Sequence, residues 1–370
     1  AGRRARVSAP ESDLREARRH IEAALAVFER WGNQDACATA YVDQSEISTL
    51  LNRFDEALAY LDRARPAAES VGNWGMVWIV LLSRREVYLR RGEPERMFAL
   101  FDEMLAMSRR VGNYRLEGWT LGWDSIYAQR YHSLERALFK RQAALLLAEE
   151  FGLEYDRAWS AFELGDIYRV MGDPVAARRW YDAALPRFER QAQSMGVAFH
   201  HRGLGDLALA AGRWAEARAH HQTYLDWAVE SDTWGRIYAL CGLGRAEMGL
   251  GSADEALGHF RAALRLATRS GRSDTVMLPV ACLAHLAAAH GRAATAARLA
   301  AAVVNSPLTW IETRDWARPL ADAARPLAGE QGSGGAGEIG DWEIGEIVER
   351  LLAAEGETAD EWLDAAASGR

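Results

Sequence analysis

Val71-Gly72-Asn73-Trp74 returns forty residues later as Val111-Gly112-Asn113-Tyr114, and the same break stands earlier as Trp31-Gly32-Asn33 and later as Phe151-Gly152. The step from glycine to glycine is 40 residues each time. A second set of breaks falls midway, at Gly92, Gly172, Gly212, Gly251 and Gly291, with Asn52 and His132 filling the two gaps. Glycine suits the left-handed position at which helices end, so each period reads as two helices separated by two tight turns.

The second helix of each period carries a packed stripe. A small residue follows the midway turn at Ala17, Ala57, Ala137, Ala177, Ala217, Ala256 and Ala296, and only Met97 breaks the series. Four residues on stands a bulkier group in many periods (Ile21, Leu61, Phe101, Tyr181, Phe260), and three further on a small residue returns (Ala24, Ala64, Ala144, Ala184, Ala263). These offsets keep one helical face, with alanines where neighbouring helices approach most closely.

Composition narrows the function classes. With 49% hydrophobic residues and only nine prolines in 370 residues, the chain has ample apolar surface and favours helix. No run approaches the roughly 18 uncharged apolar residues of a membrane span. Cys37, Cys241 and Cys282 lie far apart, so neither a disulfide framework nor a zinc site is expected, and a cytoplasmic location is the default. A net charge of −8 argues against nucleic-acid binding. Lys140, the sole lysine, has no glycine-rich approach, so this chain holds no phosphate-binding loop and no lysine for Schiff-base chemistry. Gly203-Leu204-Gly205-Asp206 mimics a dinucleotide fingerprint, but no strand precedes it. No catalytic motif appears; no enzyme activity, cofactor or metal is expected. His200-His201 and His220-His221 flank the turn at Gly212 and come to similar heights in a hairpin; a metal site there is possible in geometry, and structural histidines are the favoured reading.

The periods resemble the tetratricopeptide repeat family. Leu164-Gly165-Asp166-Ile167-Tyr168, Leu204-Gly205 and Leu243-Gly244 match its Leu-Gly…Tyr pattern, and Gly212-Arg213-Trp214-Ala215-Glu216-Ala217 its second-helix opening. Ser45, Arg85 and Ser125 replace that glycine in the first three periods, and the repeat is longer than the family's usual ~34 residues. The resemblance implies an all-α, right-handed α-α superhelix: a TPR-like solenoid of about seven helix pairs plus an N-terminal half-repeat. It covers residues 11–305, after an N-terminal segment 1–10. A terminal helix is expected within 306–328, from about Leu308 to Leu327, then a flexible linker 329–340 and an acidic helical tail 341–370. In that tail Trp342, Ile344, Ile347, Val348, Leu351 and Leu352 keep helical spacing, and a short helix surrounds Trp362. The tail either folds back as a cap or docks on a partner. Because Ala17 lies on a second-type helix, the array starts in mid-unit, and a preceding segment is expected in the full-length protein.

The stretch Ala296-Ala297-Arg298-Leu299-Ala300…Pro307-Leu308-Thr309-Trp310-Ile311-Glu312-Thr313-Arg314-Asp315 is similar to the end of the repeat array in MalT-like and AfsR-like bacterial signal-transduction ATPases. That similarity implies a sensor module coupled to an N-terminal ATPase or effector domain; a stand-alone adaptor is the alternative. Ligands of the family lie along the concave surface lined by first helices. The resemblance therefore places an aromatic at one position of four successive units, Trp119, Trp159, Phe199 and Tyr238, with Asp166, Asp206 and Arg245 seven residues further on. Arg130, Arg169 and Arg202 lie near this face. Either these aromatics pack adjacent repeats, or they form a ladder for a protein, a peptide or a small-molecule effector.

Overall fold

All nine glycine breaks adopt the left-handed conformation, with φ between 64° and 86°, in the computed structural model, which describes residues 11–270, 273–323, 344–354 and 358–368. Asn52 joins them at φ 57°. The residue after the glycine often starts the next helix: Asn33, Asn73 and Asp173 each accept a hydrogen bond from the backbone N–H three residues on. One short motif thus satisfies the end of one helix and the start of the next.

His132 does not take a left-handed turn; the preceding helix runs on to Tyr131, and Ser133 caps the next one. Ala192, forty residues after Gly152, continues the first set of turns in the left-handed conformation, with φ 50°. That conformation costs an L-residue about 1–2 kcal/mol, part of which glycine's unfolded-state entropy offsets. Ala192→Gly is therefore expected to stabilise the protein by about 0.5–1 kcal/mol, read as a higher denaturant midpoint at unchanged slope; a lower midpoint would show that the turn carries no strain.

The helices follow in tandem. α1 (Glu11–Trp31) stands alone, followed by α2 (Gln34–Leu50) with α3 (Phe54–Ser70), and α4 (Trp74–Arg90) with α5 (Pro94–Arg110). Next come α6 (Tyr114–Tyr131) with α7 (Leu134–Glu150), and α8 (Glu154–Val170) with α9 (Pro174–Arg190). The series continues with α10 (Ser194–Ala210) and α11 (Trp214–Trp227), then α12 (Thr233–Leu250) and α13 (Ala253–Arg269). It closes with α14 (Met277–Ala289) and α15 (Ala293–Asn305), followed by α16 (Ile311–Ala323), α17 (Ile344–Ala353) and α18 (Ala359–Ser368). This is the all-α, TPR-like arrangement of paired helices that the period implies: a single helix and seven pairs. Among the described residues none of these helices is long and apolar enough to cross a membrane.

The chain divides into two compact units, residues 1–124 and 125–370. The first has a core of Leu25, Tyr41, Leu61, Val80 and Val87. In the second, the stripe of bulky second-helix residues lies on first-helix glycines: a Cβ on Gly165 would come 2.4 Å from the Tyr181 ring, one on Gly205 2.8 Å from His221, and one on Gly244 2.3 Å from Phe260. Glycine is needed there because the helices approach too closely for any side chain.

Beyond α15 the boundaries differ from expectation. Leu308 and Thr309 belong to a turn in which the Thr309 hydroxyl donates to the Val303 carbonyl at 2.6 Å, and α16 begins only at Ile311. Residues 324–343, which include the expected linker and Trp342, lie outside the described residues. Of the acidic tail, Ile347, Leu351, Trp362 and Leu363 join the core formed by α13, α14 and α15. The Ala359 N–H donates to Asp254 at 2.7 Å, and His290 meets Asp360 at 3.0 Å. In this structure the tail folds back on the array.

Candidate functional site

Arg202 is the centre of the second unit's inner face. It sits on α10, its side chain 2% exposed, between two carboxylates: Asp166 of α8, in a close ion pair, and Asp206 one turn along, at 3.2 Å. Asp166 also accepts from the Tyr181 hydroxyl at 2.6 Å. Arg202 is further enclosed by the rings of Phe162, Phe199, Trp234 and Tyr238, each 5.2–5.5 Å from its guanidinium carbon. Such a cation is tolerable in a buried place only because both acids are present. Burial pushes Asp206 upward from its usual range, against the pull of Arg169 and Arg202.

Arg169, on the last turn of α8, lies 3.9 Å from both Asp166 and Asp206, but its principal partner comes from far along the chain. Glu312, in the first turn of α16, accepts from its two terminal nitrogens at 2.6 and 3.1 Å in a fork-to-fork pair. Tyr238 donates to the same carboxylate at 3.4 Å. Just before α16, Trp310 is stacked on Tyr238 at 5.9 Å, tilted against Trp234 at 5.7 Å, and covered by the Arg130 guanidinium at 4.3 Å. Its indole N–H donates to the Tyr131 hydroxyl at 2.9 Å. One turn into α16, Trp316 lies against Arg245 at 4.6 Å and stacks on His285 at 3.9 Å. Side chains of α6, α8, α12 and α14 thus converge on one segment.

Burial works against the charge on Glu312, and Arg169 overrides it, holding the carboxyl down to about 2. The folded value lies below the unfolded one near 4.3, so the pair contributes stability above the unfolded value and loses it as pH falls through about 2. The stability advantage of wild type over Glu312→Gln is therefore expected to be constant from about pH 8 to 5 and to shrink from about pH 4.5 towards pH 2. Thermal melts of both proteins across that range check it; an advantage that persists at the acid end would show that the carboxylate's charge is not what binds α16. With its side chain 36% exposed, Glu312 forms a solvent-screened pair.

The eight residues expected to line the face separate into groups. Asp166, Arg202, Asp206, Tyr238 and Arg245 come together as described. Trp159 and Phe199, both partly buried, belong to an aromatic cluster beside them: Trp159 packs on Phe188 at 5.1 Å and Phe199 at 5.3 Å, and Phe199 meets Tyr224 edge-on at 5.5 Å. Trp119 lies in the first unit, 43% exposed, with Trp78 at 5.9 Å. The rings of the ladder contact one another and are partly buried in the second unit, and in the first Trp119 is more open. Glu312, Trp310, Trp316 and Trp234 were not among the expected residues; no spacing rule links Glu312 to Arg169, and only the aromatic and charged run after Pro307 hints at them.

The histidines part company. His200 donates from Nδ1 to the Tyr181 carbonyl at 3.2 Å, which fixes its tautomer, and burial pushes it down to about 4. His221 is fully buried 3.6 Å from Asp206; burial, with Arg245 and Arg202 nearby, pushes it down to about 3, so the neutral ring makes no ion pair. Across the hairpin His201 and His220 meet, Nδ1 to Nδ1 at 3.0 Å, one donating and the other accepting. Among the described residues no three metal-ligating side chains converge.

This stack of paired helices, with glycines beneath bulky second-helix residues, can be compared with known proteins. Residues 140–228 match the tetratricopeptide repeat model. That stretch runs from α7 to α11 and contains Trp159, Asp166, Phe199, Arg202 and Asp206. Three solved structures are similar in outline to this chain. BtubC (BKLC) from P. vanneervenii is 19% identical, covering 59% of this chain and 91% of its own, with a TM-score of 0.48. The apo form of RapI is 14% identical over 90% of this chain and 85% of its own, TM-score 0.43. The apo form of the quorum sensor NprR from B. thuringiensis is 12% identical over 84% and 99%, TM-score 0.45. No role is carried from these structures to any residue here. No curated protein sequence matches the chain.

Proposed function

We propose that this chain is a regulatory binding module that takes a protein or peptide segment on the inner face of α8, α10 and α12. The observation that carries the reading is the surplus of buried donors on that face. Trp159 Nε1, Trp234 Nε1 and Arg202 Nε are buried without a hydrogen-bond acceptor in the protein, and Arg169 Nε has carboxylates only at 3.9 Å. Packing alone is better served by apolar groups, since a buried unpaired donor costs about 1–3 kcal/mol. A face rich in donors and aromatic rings matches a segment rich in carbonyls and carboxylates.

The finer reading is the sensor of a bacterial signal-transduction ATPase or transcriptional regulator, with an N-terminal ATPase or effector domain in the full-length protein. Its support is the similarity of residues 296–315 to the end of such arrays, together with the suitability of stacked repeats for turning small local shifts into a change of curvature. The second reading is an adaptor that joins two proteins without a nucleotide switch. A photo-crosslinking residue in place of Tyr238, in the full-length protein within its own cells, tests both. Cross-links to one defined partner that change with ATP support the sensor; the same cross-links without ATP dependence support the adaptor. Cross-links confined to residues 306–323 under every growth condition would remove the binding reading.

A further inference from the structure

The occupant of the inner face is part of the chain itself. We propose that Trp310-Ile311-Glu312 is a built-in ligand, and that the external ligand of this face is a peptide segment presenting an aromatic residue two positions before a carboxylate. The proposal deepens the reading that this face binds a protein segment, by naming what that segment presents and what it must displace.

α16 uses two faces for two different purposes. Ala317, fully buried, and Leu320 pack on the core of α14 and α15, as the next helix of a solenoid does. Trp310 and Glu312 do something that packing on a neighbouring repeat does not require. Their partners Tyr131 and Arg169 are 179 and 143 residues away, on helices that are not neighbours of α16 in the repeat order. The chemistry is that of ligand recognition: a forked guanidinium–carboxylate pair, and an indole placed on Tyr238 and Trp234 beneath an Arg130 guanidinium, with its N–H donating. The turn that presents the two residues is held from its own side, by Thr309 to Val303 and by Arg314 donating to the Ser306 and Thr309 carbonyls at 3.0 and 3.1 Å.

The charges give the ligand its sign. With Glu312 withdrawn, Asp166 and Asp206 remain engaged with Arg202, and Arg169 keeps them only at 3.9 Å. Arg130 and Arg245 stand on either side of this group through their contacts with Trp310 and Trp316. The place vacated by the Glu312 carboxylate faces Arg169, with Arg245 and Arg202 near it, and accepts one carboxylate; the indole's place is lined by aromatic rings and by Asp274. The Glu312 side chain, about a third exposed, marks where a competing acid enters first.

The test uses a fluorescein-labelled synthetic peptide of residues 305–318, read by fluorescence anisotropy against the 370-residue chain. Wild type, with its own segment in place, is expected to bind it at least about tenfold more weakly than Trp310→Ala/Glu312→Ala. Replacing the peptide's tryptophan at 310 by alanine, or its glutamate at 312 by glutamine, is expected to remove about tenfold of that affinity, as is adding Arg169→Ala to the vacated chain. Equal binding by wild type and a cooperatively melting double variant overturns the proposal, and so does binding indifferent to the glutamate. If the double variant loses its cooperative melt, the titration is repeated with Glu312→Gln alone, where the absence of any gain over wild type overturns it. Peptide binding in trans combined with purely internal cross-links in cells would leave the built-in ligand standing and remove the external partner.

Discussion

Arg202→Ala is expected to lose about 3–5 kcal/mol of folding stability, the largest effect of any single substitution on the inner face. The loss does not measure the strength of its ion pairs. Truncation leaves Asp166 and Asp206, both buried, facing each other with Arg169 only at 3.9 Å from each. Uncompensated buried charge accounts for most of the loss, so removing the acids as well reverses the larger part of it. Arg202→Met combined with Asp166→Asn and Asp206→Asn is expected to recover more than half in urea denaturation. A triple variant no more stable than Arg202→Ala would mean that the ring contacts of the guanidinium, not the charges, hold this layer.

Phe199→Ala is expected to cost about 3 kcal/mol, whereas Trp119→Ala costs about 1 kcal/mol. The two stand at the same position of their repeats, yet Phe199 is surrounded by Trp159, Phe162, Tyr224 and Trp234, with centroids 5.3–6.2 Å away. Trp119 is 43% exposed. Truncating the first opens a cavity within a ring cluster; truncating the second uncovers part of a surface. Equal losses in parallel melts would show that the aromatic position does one job throughout the array.

The period was legible because turn chemistry is local. Gly-Asn at 32–33, 72–73 and 112–113 ends one helix and caps the next by interactions spanning a few residues, so it declares itself wherever it occurs. The glycine beneath Tyr181 was legible for the same reason, since close approach within a pair recurs at fixed spacing. Ala192 was missed because its strain is imposed by the stack, not by its own preference. Asp166, Arg202 and Asp206 fell on one face by helical arithmetic, but arithmetic does not say whether such a face is wet. Beside them lie Trp310 and Glu312, which arrive from beyond residue 305. A carboxylate 143 positions from its arginine leaves no mark in any repeat.

In a linear stack each repeat leans only on its neighbours, and unravelling can start at either end and run inward. Joining α16 to Tyr131 and Arg169 turns the stretch from α6 to α16 into a loop fastened with a clasp. Its far end cannot peel away until the clasp opens, and the clasp cannot form until the intervening helices are in place. Folding therefore finishes with its longest-range step, after the locally directed ones. Under tension applied at the C-terminal end, the stretch is expected to yield first in one abrupt rupture, with repeat-by-repeat lengthening only afterwards.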